Sequence, residues 1–153
     1  MYAHDMAKQI ELFDDVISRC AAVRTLRAAR VMTRHFDDAL RPVGLTVTQF
    51  TLLITIGRHS PESISEIGQW LSIDRTSLTR NLKPLEAVGY VPRGDEGAGR
   101  KRKIALTPAG DDILQKAYPL WEAAQTRVED SFPGAAYAGA KDVLKTLRRI
   151  SAE

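Results

Sequence analysis

The feature that most constrains the fold is a long stretch without helix breakers near the start of the chain. Residues 5–40 contain no glycine or proline, and their apolar residues recur at helical spacing. The pattern predicts one long helix that ends before Arg41, Pro42 and Gly44. Because such a helix cannot bury its apolar stripe alone, we expect it to pack against other helices, including those of a second subunit. The stripe consists of Leu12, Phe13, Val16, Ile17, Cys20, Val23 and Leu26.

Helix-start signals divide the rest of the chain into further helices. Thr48, Ser63 and Asp74 are predicted N-caps, and Thr107 followed by Pro108 marks another helix start. The last helix is predicted over residues 135–150. The predicted fold class is therefore mainly α.

A glycine-rich segment predicts the one β element of this chain. Gly94, Gly97 and Gly99 lie between two short strand-like runs, so we expect a hairpin whose tip is residues 95–99. Two short helices separated by Ser72 and Ile73 precede it. This order is typical of a helix-turn-helix followed by a β-wing.

The charges favour duplex DNA as the partner of this region. The formal net charge is only +3, but cations are concentrated between Arg75 and Lys103, where the acids are Glu86, Asp95 and Glu96. A helix tip that enters the major groove needs short hydrogen-bonding side chains and long cations. The predicted DNA-binding residues are Asp74 as the cap, then Arg75, Thr76, Ser77, Thr79, Arg80 and Lys83 on the helix, and Arg93, Arg100, Lys101, Arg102 and Lys103 on the wing.

Four segments together resemble the MarR family of winged helix-turn-helix transcriptional regulators. They are residues 45–53 (LTVTQFTLL), 74–82 (DRTSLTRNL), 85–91 (LEAVGYV) and 104–110 (IALTPAG). The resemblance implies a single domain over residues 1–153, with dimerisation helices at 5–41 and 108–150 and the winged helix-turn-helix at 46–107. It also implies a homodimer that reads a pseudopalindromic operator, commonly represses transcription and is released by a small aromatic or phenolic effector. The single cysteine separately predicts a reducing, cytoplasmic setting. Neither catalysis nor a cofactor is expected.

The wing departs from the family pattern at one position. Family members usually carry Asp, one further residue and then Arg at the wing tip. In this chain the Arg is Arg100, the expected minor-groove finger, but the Asp position holds Ala98. Asp95 or Glu96 is the candidate substitute for that carboxylate.

Several other residues are candidates for sensing a signal. Aromatic effector binding is predicted at His35, Phe36, Phe50, Tyr118 and Trp121, placed by the resemblance. Cys20, the only cysteine, excludes an internal disulfide, and a redox-sensing regulator acting through it is the first alternative. A winged-helix adaptor that does not bind DNA is the second alternative. An anionic effector could also pair with arginines of the first helix, which are Arg24, Arg27, Arg30 and Arg34.

Neither a metal-binding protein nor a membrane-spanning protein is expected. His4, His35 and His59 are scattered without the spacing of metal ligands, so no metal site is predicted. No run approaches the roughly 20 apolar residues that span a bilayer.

Overall fold

The structure is a computed structural model that describes residues 2–92 and 104–150. Within these ranges the chain is mainly helical, which confirms the predicted fold class. A single 3-10 turn, Arg41–Val43, follows the second helix. The helices are α1 (Tyr2–Arg19), α2 (Ala21–Leu40), α3 (Val47–His59), α4 (Ile64–Leu71), α5 (Arg75–Ala87), α6 (Pro108–Asp130) and α7 (Ala136–Ile150).

The chain divides into two compact units, Met1–His35 and Phe36–Glu153. In the first unit the prediction of one uninterrupted helix is wrong, because α1 ends at Arg19 and α2 begins at Ala21. The Ser18 carbonyl, which would accept the N–H of residue 22 in a continuous helix, accepts a hydrogen bond from Nε of Arg24 at 3.1 Å. The break therefore coincides with a side chain that binds the helix backbone.

The second unit has a continuous apolar core centred on α3. Leu52, Leu53 and Ile56 of this helix are fully buried. Helices α4, α5 and α6 each contact α3, so α3 is the central support of this unit. Truncating a side chain at such a position typically costs about 2–5 kcal/mol. The other buried members of the core are Leu40, Leu45, Phe50, Ile67, Leu78, Leu82, Leu85, Val91, Ile113 and Ala117.

Three of the four predicted N-caps are confirmed. Ser63 accepts a hydrogen bond from the Glu66 N–H at 3.2 Å, and the caps at Asp74 and Thr107 are formed in the same way. The prediction of Thr48 as the cap of α3 is wrong by two residues. Thr46 is the cap, because it and Gln49 form a reciprocal capping box.

No described helix is by itself long and apolar enough to cross a membrane. The segments Ala21–Val43 and Val47–His59 would match a broken span in length and composition only, with a 75° bend between them.

Candidate nucleic-acid interface

Helices α4 and α5 form a helix-turn-helix. The Ile73 N–H donates to the Gly68 carbonyl at 3.0 Å, and Ser72 takes the left-handed conformation with φ of 53°. A Cβ on Gly68 would lie 3.0 Å from the Ile73 carbonyl oxygen. The absence of a side chain at Gly68 thus lets the turn pack closely against α4 and fixes where α5 begins.

Helix α5 has two chemically different faces. Leu78, Leu82 and Leu85 are buried in the core of the second unit, as their spacing of four and three residues predicts. The same spacing turns Arg80 and Lys83 away from the core, and both are exposed. Arg75, the first residue of α5, is exposed as well. The buried leucines therefore determine which side chains α5 presents to solvent.

The exposed face of α5 borders a shallow concavity of about 550 Å³. Five of its six lining residues belong to the set predicted to bind DNA. The sixth, Pro84, lies inside the helix without ending it. The face, which we call the α5 polar face, consists of Arg75, Thr76, Thr79, Arg80, Lys83 and Pro84.

Local hydrogen bonds order the first turn of α5. The Asp74 carboxylate accepts the Ser77 N–H at 2.9 Å, and this bond lowers the pKa of the Asp74 carboxyl. Nη2 of Arg80 donates to Oγ of Ser77 at 3.2 Å, and Oγ1 of Thr79 donates to the Arg75 carbonyl at 2.9 Å. Asp74 and Ser77 are thus engaged in holding the helix start.

The α5 polar face carries positive charge that the described part of the chain does not neutralise. The described ranges contain two ion pairs, one between Arg19 and Asp15 and one between Arg41 and Asp38. Arg75, Arg80 and Lys83 take part in neither. Arg75 is at the N-terminal end of α5, where the positive end of the helix dipole is offset in part by the Asp74 carboxylate that caps the helix.

The predicted wing cations lie outside the described residues, and so does Ala98. The structure does describe the two ends that flank this segment. The Ile104 N–H donates to the Pro61 carbonyl at 2.7 Å, and the Thr107 N–H donates to the Tyr90 carbonyl at 3.1 Å. The end after this segment is therefore tied to the loop before α4, and the two ends are tied to each other. The cations concerned are Arg93, Arg100, Lys101, Arg102 and Lys103.

A second cavity, of about 340 Å³, lies between α3 and α6. Three of the five predicted effector residues line it, namely Phe50, Tyr118 and Trp121. The Phe50 and Trp121 rings are stacked with centroids 6.1 Å apart, and the Tyr118 and Trp121 centroids are 5.8 Å apart. We call this the aromatic cavity; its full lining is Phe50, Thr51, Ile54, Tyr118 and Trp121.

The other two predicted effector residues do not line the aromatic cavity. Phe36 is buried, and His35 is the last residue of the first unit. Sequence reasoning missed Thr51, Ile54 and a carboxylate beside the cavity, Glu122. A helical-wheel signal existed for two of the three, since Ile54 is four residues after Phe50 and Glu122 is four after Tyr118.

The first unit contains the remaining candidates. Cys20 is a partly exposed free thiol at the break between α1 and α2. Arg24 and Arg27 line one surface concavity, and Arg30 and Arg34 line another. In the described ranges, no group of three or more His, Cys, Asp or Glu side chains could hold a metal ion.

Known proteins resemble this chain in sequence. A family model described as the MarR family matches residues 43–102, which include both helices of the helix-turn-helix. The HTH-type transcriptional regulator SarZ of Staphylococcus saprophyticus is 31% identical over 103 residues, which are 67% of this chain and 70% of SarZ.

Solved structures resemble it in fold. The Mycobacterium tuberculosis transcriptional regulator MosR superposes with a TM-score of 0.75 at 36% identity, covering 88% of this chain and 98% of MosR. MosR in complex with DNA gives a TM-score of 0.74 at 37% identity over the same shares. A M. tuberculosis MarR family protein in complex with salicylic acid gives 0.60 at 25% identity, covering 83% of this chain and 97% of that one.

Proposed function

The chain belongs to the MarR family of transcriptional regulators, and from this premise we propose that it is a homodimeric repressor released by a small aromatic effector. It binds a pseudopalindromic duplex operator, with one α5 polar face in the major groove of each half-site. Repression is the direction of control that the family resemblance implies.

The observation that carries the DNA-binding proposal is the α5 polar face. Its arginines and lysine have no acidic partner in the described ranges, and threonines lie between them. Arginine pairs with guanine edges and threonine methyls contact thymine methyls, so the set suits readout of base edges. MosR, which is 37% identical, was solved with DNA, and this supports the same role here.

The dimer proposal rests on apolar residues that the single chain leaves in solvent. Ile10, Phe13 and Ile17 recur along one side of α1, and each is at least half exposed. Val143 and Leu144 of α7 are exposed to a similar degree. Exposed apolar stripes of this kind mark interaction surfaces. A second copy of the chain is the partner proposed for both helices.

The effector proposal rests on the aromatic cavity. Its volume falls in the usual range for small-molecule sites, and three aromatic rings form most of its wall. The protein solved with salicylic acid, 25% identical, supports an aromatic ligand.

The proposal also assigns a role to each part of the chain: residues 5–41 and 108–150 dimerise, and residues 46–107 bind DNA.

The test begins with selection of binding sites from random duplex DNA. We expect an enriched pseudopalindrome, bound tightly by the wild type in gel shifts and weakly by Arg80→Ala and Arg100→Ala. Arg127→Ala, which removes an exposed cation from α6, is the matched control and should bind as the wild type does. Failure to enrich any sequence would contradict DNA readout and favour the adaptor alternative.

A further inference from the structure

The side chains of the aromatic cavity present hydrogen-bond acceptors. Oγ1 of Thr51 donates its proton to the Val47 carbonyl at 2.8 Å. The Tyr118 hydroxyl donates its proton to Oε1 of Glu122 at 3.1 Å. With both protons engaged, each hydroxyl can offer a ligand only its lone pairs. Of the five lining side chains, only Trp121 retains an N–H donor.

The carboxylate of Glu122 places a negative charge next to the Tyr118 hydroxyl. Glu122 is one helical turn from Tyr118, and its carboxylate is held by the Tyr118 hydroxyl. The same bond raises the pKa of Tyr118, which keeps that hydroxyl protonated. No lining residue is basic. The basic residues of α6, Lys116 and Arg127, project from the opposite side of the helix, by the 100° rotation per residue.

The rings supply a further preference for a cation. The faces of Phe50, Tyr118 and Trp121 carry the negative part of the ring quadrupole. An ammonium group within about 6 Å of such a ring is attracted to it, most strongly by tryptophan. An aromatic carboxylate would instead meet acceptor oxygens and a like charge.

We propose that the aromatic cavity binds a protonated aromatic amine, with the ring against Trp121 and Phe50 and the ammonium between the Tyr118 oxygen and the Glu122 carboxylate. This inference rests on the proposed function in treating the cavity as the effector site, and it names the charge of the effector. It opposes a carboxylate such as salicylate as the ligand of this cavity. No covalent step is involved.

The test uses three probes that share a phenyl ring: phenethylammonium, 2-phenylethanol and 3-phenylpropionate. The chain has two tryptophans, Trp70 and Trp121, so Trp70→Phe leaves Trp121 as the sole source of tryptophan emission. We expect the ammonium probe to change the Trp121 emission with an affinity about tenfold above that of the neutral alcohol. The carboxylate probe should bind more weakly than the alcohol.

Glu122→Gln removes the charge and keeps an oxygen that can accept from Tyr118. In this variant the ammonium probe should bind no more tightly than the alcohol. Glu129→Gln is the matched control, because Glu129 is an exposed carboxylate on the same helix, two turns away, that accepts from Gln125. It should leave the preference for the ammonium probe intact.

Two outcomes would overturn the inference: equal or tighter binding of the carboxylate probe, or an unchanged preference in Glu122→Gln. Duplex binding by the same preparations, measured without any probe, reports separately on the proposed function. If the protein binds the amine selectively but does not bind duplex DNA, the repressor proposal is contradicted and the ligand assignment is supported. Operator binding with no selectivity for the amine would support the repressor proposal and contradict the ligand assignment.

Discussion

The carboxylate of Asp74 accepts a hydrogen bond from the backbone N–H of Ser77 at 2.9 Å, and this contact fixes the first turn of α5. Ser77 in turn accepts from Arg80. A cap that holds the helix start is thereby connected to a cation of the α5 polar face.

The Asp74 cap should make stability depend on pH. The Ser77 N–H lowers the pKa of the Asp74 carboxyl in the folded state below its ordinary value of 3.8, so the cap contributes fully above that ordinary value. The contribution is lost as the pH falls through the folded-state pKa. Asp74→Asn keeps a capping oxygen that does not titrate. The Tm of the wild type should therefore fall relative to that of Asp74→Asn below about pH 4; parallel Tm curves would contradict the assignment.

Gly110 should not tolerate a side chain. A Cβ there would lie 2.3 Å from the Tyr90 carbonyl oxygen, and backbone cannot move aside as a flexible side chain can. Gly110→Ala should lower the free energy of unfolding by about 1–3 kcal/mol, the usual cost of overpacking. Denaturant titration provides the measurement.

Gly139→Ala is the control for that substitution. Gly139 lies in α7 with nothing within 4 Å of its Cβ position, and alanine favours a helix by about 0.8–1.0 kcal/mol over glycine. Stability should be unchanged or raised. If Gly110→Ala behaved like Gly139→Ala, the close approach of α6 to Tyr90 would be wrong.

Phe13→Glu should dissociate the dimer. It places a charge in the middle of the exposed apolar stripe of α1, where burial without a partner charge is costly. Sedimentation should give twice the 17.0 kDa chain mass for the wild type and a lower mass for the variant. Val88→Glu, a similarly exposed apolar residue at the end of α5, should leave the dimer intact. A monomeric wild type would refute the assignment of α1.

Cys20→Ser separates effector control from redox control. Under effector control, peroxide should leave operator binding unchanged in both the wild type and the variant. Loss of operator binding on peroxide treatment in the wild type only, with binding retained in Cys20→Ser, would favour the redox alternative. Gel shifts with and without dithiothreitol measure this directly.

Local signals in the sequence identified most of the helices. Thr107 before Pro108 marks the start of α6, and Asp74 marks that of α5, because a cap needs only the hydrogen-bond acceptor and the few residues after it. The leucines of α5 also predicted its exposed face. Thr46 and Gln49 match the capping-box pattern at the start of α3, but the predicted cap, Thr48, lies two residues after the actual one.

Contacts that depend on the folded chain were not predictable. The break at Cys20 involves no glycine or proline, and it coincides with a hydrogen bond from Arg24 to a backbone carbonyl six residues earlier. Nothing in the sequence around Gly68 indicates that the Ile73 carbonyl oxygen lies close to it. The aromatic residues of the cavity were proposed from the resemblance. The spacing of four residues between Tyr118 and Glu122 permits their hydrogen bond without requiring it, so that bond was not predicted.

The most direct test of the central claim is the salt dependence of operator affinity for the α5 polar face. Wild type, Arg75→Ala, Arg80→Ala, Lys83→Ala and the control Arg127→Ala would be titrated with the selected duplex over a range of salt concentrations. For each α5 variant whose side chain contacts a phosphate, the log–log slope should become shallower by about 0.9, and the control should match the wild type. Unchanged affinity and slope in all three α5 variants would contradict the claim that this face binds DNA.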